Sequence, residues 1–203
     1  MSRRIAVLVS GRGSNLQSII DAIRAGSLDA SLAVVISNRA EAAGLLRARE
    51  AGVEAVFLDP GAHATREAYD RALVGILNSH GVDLVCLAGY MRLVGPPLLD
   101  AFPQRILNVH PSLLPSFAGL EAQRQALEHG VRVSGATVHL VTADLDAGPI
   151  VLQAAVPVLE TDTVDSLSAR ILLEEHRLYP EAIGLVLGGG CQVVGRRFVR
   201  VGG

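Results

Sequence analysis

The stretch RIAVLVSGRGSNLQSIIDAIRAG, residues 4–26, sets the pattern for the fold. Its first seven residues form a short apolar run rich in β-branched side chains, which predicts a buried strand. A glycine-containing loop follows, and the apolar residues of 15–26 then recur at helical spacing up to Gly26, a typical helix stop. A strand, a tight turn and a helix in this order make up the first part of a βαβ unit.

The same alternation continues through the first half of the chain. Because the predicted strands are nearly continuous apolar runs separated by helices, they indicate a parallel sheet that is covered on both faces. The fold class that we predict is α/β, with a Rossmann-like, open, mostly parallel sheet and helices on both faces. The predicted elements are strands at 32–37, 53–58, 83–88 and 105–110, and helices at 43–52 and from the N-cap Thr65 to about residue 80.

The second half of the chain has a different pattern. After a helix at about 121–130, two longer apolar runs at 133–141 and 150–158 are joined by only eight residues, which predicts neighbouring antiparallel strands. A helix is expected to begin after Asp162 as its N-cap and to break or restart at Pro180. The last segment, 191–201, predicts a small hairpin.

The chain shows no linker, repeat or low-complexity segment that would separate two domains. We therefore predict a single domain, residues 1–203, in which 1–103 form a half that binds the phosphate of a ribonucleotide and 104–203 form the catalytic and folate-binding half. The functional labels of these two halves come from the resemblance described below.

Composition limits the function classes. The chain has 203 residues, 50% hydrophobic content and a net charge of −2, which favour a folded domain with a large core. All 18 basic residues are arginines and form no basic stripe, so no nucleic-acid partner is expected. Neither a signal peptide nor an apolar stretch of membrane-spanning length is found, so we expect a cytoplasmic protein with no membrane partner. Cys86 and Cys191 lack ligand spacing, and no metal is expected.

A second stretch, RILNVHPSLLP at 105–115, carries the polar residues that could perform chemistry. Asn108 and His110 are two positions apart on a predicted strand, so their side chains point to the same face. Because Pro111 ends the strand, the pair lies at a strand terminus, where open parallel sheets place their binding sites. Burying two polar side chains without partners would cost about 1–3 kcal/mol each. The pair therefore indicates a candidate site.

The loop SGRGSNL at 10–16 is a second candidate. It lacks the third glycine and the acidic residue of a dinucleotide-binding fingerprint, and a chain without lysine has no Walker motif. Two interpretations stay open. The loop either binds a single phosphate near Gly13, Ser14 and Asn15, or is a tight strand-to-helix turn capped by Ser14 or Asn15.

Asp144 and Asp146 lie on the connection between the two long runs of the second half. A carboxylate beside an imidazole fixes its tautomer and stabilises its charged form, although a single aspartate on a loop is more often simply solvated. An amide donor, a histidine and an orienting carboxylate together suit acyl or formyl transfer, in which an oxyanion develops at a tetrahedral carbon.

Five blocks of the chain, in this order, resemble phosphoribosylglycinamide formyltransferases of purine biosynthesis: SGRGSNLQSII, LAGYMRLV, ILNVHPSLLPSF, TVHLVTADLDAGPIV and EEHRLYP. The resemblance implies transfer of a formyl group from 10-formyltetrahydrofolate, the co-substrate, to the amine of 5'-phosphoribosylglycinamide in de novo purine biosynthesis, without a metal. It further implies direct attack through an oxyanionic tetrahedral intermediate that Asn108 and His110 stabilise, with Asp146 orienting the histidine.

The resemblance also implies binding residues and partners. His139 lies on a strand that the family brings near the site, whereas Gln123 departs from the family, whose members often have a histidine there. The expected partners are small-molecule substrates only, and the expected assembly is a monomer or a homodimer. The implied ribonucleotide contacts are Gly13, Ser14, Asn15 and Glu175, and the implied folate contacts are Arg66, Met91, Arg92, Leu93, Val94, Asn108 and Asp144.

Two alternative functions stay open. A formyltetrahydrofolate hydrolase would use similar Asn, His and Asp residues but direct water to the formyl carbon, and such enzymes resemble this chain with an added N-terminal regulatory domain. A non-catalytic nucleotide-binding module would explain the glycine-containing loop and the sheet. That module would give Asn108, His110 and Asp146 no reason to lie together.

Overall fold

The structure is a computed structural model that describes residues 3–201. Strands and helices alternate through most of the described chain, and a short 3-10 turn, Pro60–Ala62, precedes the third helix. The strands are β1 (Arg4–Val9), β2 (Ser31–Ser37), β3 (Ala55–Phe57), β4 (Leu84–Leu87), β5 (Ile106–His110), β6 (Val133–Leu140), β7 (Ile150–Pro157), β8 (Cys191–Val194) and β9 (Arg197–Arg200). The helices are α1 (Ser14–Arg24), α2 (Ala43–Glu50), α3 (Arg66–Ser79), α4 (Pro96–Ala101), α5 (Ala122–Glu128) and α6 (Val164–Leu187).

The chain divides into two compact units between Leu107 and Asn108. In the first unit, β1 pairs in parallel with both β2 and β4, and β2 pairs in parallel with β3, so the strand order is β3-β2-β1-β4. The residues of β1 from Ile5 to Val9 are fully buried, as are most residues of β2 and β4. This burial is typical of a parallel sheet with both faces covered.

In the second unit, β6 and β7 form an antiparallel pair, as their short connection predicts. The terminal segment forms the predicted hairpin of β8 and β9, and β9 pairs in parallel with β7 where Ile150 faces Arg197. Helix α6 packs against β6 and β7. The predicted α/β class, with parallel strands first and antiparallel strands in the C-terminal half, is thus confirmed.

The predicted N-cap of α6 and the predicted break at Pro180 are both wrong. Its N-cap is Thr163, whose side chain accepts the Ser166 amide while the Ser166 hydroxyl accepts the Thr163 amide. Asp162 instead accepts the Leu159 amide and pairs with Arg170. The helix also continues through Pro180. A proline inside a helix costs about 3 kcal/mol. The neighbouring residues Tyr179, Ala182 and Ile183 are fully buried, and their packing outweighs that cost.

The expected division into one domain with halves 1–103 and 104–203 stays a prediction. No helix in the part of the chain that the structure describes is both long enough and apolar enough to cross a membrane.

Candidate active site

Four polar side chains of the second unit meet at one place. Asn108 and His110 lie on β5, His139 on β6 and Asp146 on the loop between β6 and β7. Little of this cluster reaches solvent, because His110 is 5% exposed, His139 is 2% exposed and the Asp146 side chain is 8% exposed. Buried polar groups need hydrogen-bond partners, so the contacts within the cluster determine what it can do.

His110 lies between a carboxylate and a carbonyl. Its Nδ1 is 3.4 Å from Asp146 Oδ2, and its Nε2 is 2.8 Å from the carbonyl oxygen of Phe117. Because a carbonyl oxygen can only accept a hydrogen bond, Nε2 carries a hydrogen and donates a hydrogen bond to the Phe117 carbonyl. The contact with Asp146 becomes an ion pair when Nδ1 is protonated as well. Both ring nitrogens thus have an acceptor within reach, which suits a group that takes up and releases a proton.

His139 links Asn108 to Asp146. Its Nδ1 lies 3.1 Å from the Leu140 carbonyl oxygen and therefore donates. Its Nε2 lies 3.1 Å from Asn108 Nδ2 and 3.6 Å from Asp146 Oδ1. In a neutral ring Nε2 accepts one N–H of the Asn108 amide, and in a protonated ring it donates to Asp146. In either state the Asn108 amide keeps an N–H with which it can bind a ligand.

Asp146 is the acceptor that joins these groups. Its Oδ2 also accepts the Gly119 amide at 2.8 Å. Burial raises the pKa of the Asp146 carboxyl, but hydrogen bonds from His139 and Gly119 and the charge of His110 outweigh burial, so the pKa lies below its usual value. The Asp146 backbone has a φ of 50°, a left-handed conformation that aspartate adopts more readily than most residues. The carboxylate is therefore ionised at neutral pH and fixed in direction.

A buried network fixes the turn that follows His110. The Thr137 hydroxyl donates to the Ser112 carbonyl at 2.7 Å and accepts the Leu114 amide at 3.1 Å. The turn ends at Phe117, whose φ of 56° turns the chain sharply. Because Thr137 is fully buried on β6, it fastens this turn to the sheet. The network thereby supports the Phe117 carbonyl that accepts from His110.

The loop 10–16 of the first unit is a tight strand-to-helix turn. Gly13 is the N-cap of α1 at a φ of 70°, and no side chain caps the helix, so the predicted cap by Ser14 or Asn15 is wrong. A Cβ on Gly13 would lie 2.7 Å from Gly44 Cα, and only glycine fits there. The first amides of α1 are left without a side-chain cap, an arrangement that suits an anionic ligand.

The segment after β4, residues 90–95, carries most of the predicted folate contacts. Met91 is 60% exposed and Leu93 is 58% exposed, whereas Arg92 and Val94 are half-buried. The Arg92 guanidinium carbon lies 4.5 Å from the centroid of the Tyr69 ring. The segment therefore combines exposed apolar side chains with a fixed cation.

The structure thus brings together Asn108, His110 and Asp146, as expected from the sequence, and adds His139 and the amide of Gly119. Of the other predicted residues in the second unit, Glu175 is buried on α6 and Asp144 is exposed. Arg66 is an exposed residue of the first turn of α3. Within residues 3–201, no three His, Cys, Asp or Glu side chains are grouped to hold a metal ion.

Sequence reasoning missed the amide of Gly119 and the carbonyl of Phe117. Backbone groups leave no residue-type signal, and both depend on the conformation of the loop after β5. It left the contribution of His139 undecided, because every residue of β6 from Ser134 to Leu140 is buried and burial along the strand does not single out this side chain.

Comparison with known proteins identifies close relatives. Residues 3–183 match the sequence model of the family described as formyl transferase. The phosphoribosylglycinamide formyltransferase of Escherichia coli (strain K12) is 46% identical over 185 residues, which cover 91% of this chain and 87% of that protein. Among solved structures, glycinamide ribonucleotide transformylase 1 from Symbiobacterium toebii has a TM-score of 0.97 at 62% identity, over 98% of this chain and 94% of that one.

A much longer protein is similar as well. The trifunctional purine biosynthetic protein adenosine-3 of Homo sapiens is 47% identical over 190 residues, which cover 94% of this chain and 19% of that protein. The chain thus spans about a fifth of the length of this relative.

Proposed function

The chain belongs to the formyl transferase family, among its phosphoribosylglycinamide formyltransferases, and we propose that it transfers a formyl group from 10-formyltetrahydrofolate to the amine of 5'-phosphoribosylglycinamide in de novo purine biosynthesis. One observation carries the proposal beyond the family. The ionised Asp146 lies 3.4 Å from His110, and His139 joins it to Asn108 in the same buried cluster. This combination suits a reaction in which negative charge appears on an oxygen.

In the proposed reaction the amine attacks the formyl carbon and a C–N bond forms. The electron pair of the carbonyl moves onto the formyl oxygen, which becomes an oxyanion. An N–H of the Asn108 amide donates to this oxygen, and protonated His110 stabilises its charge. Removing one such preorganised donor typically costs about 10²–10³ in rate.

The tetrahedral intermediate then collapses. The bond between the formyl carbon and N10 of the folate breaks, and N10 leaves with the bonding electron pair and takes up a proton. The amine loses one proton in the same sequence, and His110 carries a proton between the two nitrogens. Asp146 acts through His110 by fixing the ring and pairing with its charged form.

Substrate binding completes the proposal. The uncapped amides of α1 would bind the phosphate of the ribonucleotide, and the exposed segment after β4 would bind the folate. The proposed ribonucleotide contacts are Gly13, Ser14, Asn15 and Glu175, and the proposed folate contacts are Arg66, Met91, Arg92, Leu93, Val94, Asn108 and Asp144.

An absorbance assay of tetrahydrofolate release tests the function when it is run with and without 5'-phosphoribosylglycinamide. A transferase releases tetrahydrofolate rapidly only when the acceptor is present, and the formylated ribonucleotide accumulates in equal amount. Equal rates with and without the acceptor would instead show a hydrolase, since similar polar residues could direct water to the formyl carbon. Binding of the ribonucleotide without any turnover would show a non-catalytic module.

A further inference from the structure

Three contacts of the first unit tie the segment after β4 to helix α3. The hydroxyl groups of Tyr69 and Tyr90 are 2.9 Å apart, and the Arg92 guanidinium lies over the Tyr69 ring. At the end of the segment, the Gly95 amide donates to Asp70 Oδ2 at 2.8 Å. Two consecutive residues of one helix thus hold the segment at its beginning, middle and end.

The side chains between these contacts are free to bind a ligand. Met91 and Leu93 are mostly exposed, although the Met91 amide itself donates to Ser10 Oγ at 2.8 Å. Exposed apolar side chains lose solvent most favourably when their backbone is already ordered, because binding then costs less conformational entropy. A fixed backbone under exposed side chains is therefore suited to a flat, largely apolar ring.

Asp70 is an unusual residue to find in this position. It is 3% exposed, and a buried carboxylate is costly unless it is hydrogen-bonded and paired. Burial raises the pKa of the Asp70 carboxyl above its usual value, although the hydrogen bond from the Gly95 amide and the charges of Arg66 and Arg92 act in the opposite direction. A Cβ on Gly95 would lie 2.5 Å from Asp70 Oδ2, so the segment approaches the carboxylate as closely as only glycine allows.

We propose that Tyr69 and Asp70 are positioning residues for the folate co-substrate, because they fix residues 90–95 in the arrangement that presents the side chains of 91–94. This inference rests on the proposed function, in which that segment binds the folate. Tyr69 and Asp70 are buried beneath the segment and act through it rather than by touching the ligand.

Asp70→Ala tests the proposal, since it removes the acceptor of the Gly95 amide. We expect the KM for 10-formyltetrahydrofolate to rise about tenfold, while kcat and the KM for 5'-phosphoribosylglycinamide change little. Asp70→Asn keeps an acceptor oxygen of the same size and should restore most of the lost affinity. Tyr69→Phe keeps the ring under Arg92 but loses the hydroxyl, and should raise the folate KM about threefold.

Asp100→Asn is the matched control, because it removes an exposed carboxylate from α4. Both KM values should stay at the wild-type level. A general loss of structure in Asp70→Ala would lower kcat and raise both KM values together, and that result would overturn the proposal. If Asp70→Ala does not fold, an unchanged folate KM in Tyr69→Phe overturns it equally.

Leu93→Ala separates this inference from the proposed function. It removes an exposed side chain of the segment and leaves all three contacts with α3 intact. A raised folate KM in Leu93→Ala with an unchanged one in Asp70→Ala would overturn the positioning role alone. Unchanged folate KM values in both variants would overturn the folate assignment of the segment, and the positioning role with it.

Discussion

Asp146→Asn is the most demanding test of the catalytic cluster, because it removes a charge and changes the size of the side chain very little. The amide can still accept from Gly119 with its oxygen, as Oδ2 does at 2.8 Å in the native protein. Its NH₂ group then takes the place of Oδ1, which lies 3.6 Å from His139 Nε2, and its uncharged oxygen stays beside His110 Nδ1. The variant therefore keeps the loop contact and loses the ion pair with His110.

The size of the effect follows from the separation of the charges. Two unit charges 3.4 Å apart attract by about 5 kcal/mol at an effective dielectric constant near 20. If about half of this attraction is specific to the charged histidine of the transition state, the barrier rises by about 2–3 kcal/mol. Such a rise lowers kcat by roughly 10²-fold. The KM values should change little, since Asp146 is not a proposed binding residue.

Steady-state release of tetrahydrofolate at neutral pH measures this change, and circular dichroism establishes that the variant is folded. Glu160→Gln is a suitable control in the same unit, because Glu160 is exposed and its ion pair with Arg132 lies at the surface. Its kcat should match that of the wild type. A folded Asp146→Asn variant with kcat within threefold of the wild type would refute the role assigned to the carboxylate.

Three further outcomes concern stability and binding. The pKa of Asp146 is lower in the folded protein than its ordinary value of 3.8, so the stability that the carboxylate contributes is present above that value and is lost as the pH falls through the folded pKa. In urea unfolding, the free energies of unfolding of the wild type and Asp146→Asn should therefore converge in acid. A difference between them that stays constant with pH would contradict the shift. Gly13→Ala should destabilise the protein by about 1–3 kcal/mol and raise the KM for the ribonucleotide, because residue 13 is in a left-handed conformation and its new Cβ would collide with Gly44. An unchanged midpoint of urea unfolding would argue against this geometry. The buried Ser134 hydroxyl has no hydrogen-bond partner within the described residues. Ser134→Ala should therefore stabilise the protein by up to about 1 kcal/mol. A clear loss of stability in urea unfolding would instead show that the hydroxyl has a partner.

Much of the fold could be predicted because its signals are local. The apolar runs of β1, β2 and β4 predict buried parallel strands, and Thr65 caps α3 with its side chain as expected. Helix α4 was not predicted, because six residues beginning with two prolines carry no helical periodicity. The error at Pro180 has the opposite cause, since a strong local signal is overridden by packing along α6.

The candidate site divides in the same way. The two-residue period of a strand is enough to place Asn108 and His110 on one side of β5, and the motifs of the chain are enough to indicate its family. Which tautomer His110 adopts depends on the Phe117 carbonyl, and the direction of the Asn108 amide depends on His139, more than 25 residues away in sequence.

The sequence by itself determined the type of each main element, the family and the identity of three polar residues of the site, because periodicity and residue chemistry act over short distances along the chain. Only the tertiary structure decided how Asp146 reaches His110, that His139 joins Asn108 to the carboxylate, and that Asp70 holds the segment after β4. These contacts join residues far apart in the chain through backbone turns such as the left-handed conformation of Asp146. Their energies depend on burial and on distances of a few ångströms, which exist only once the chain has folded.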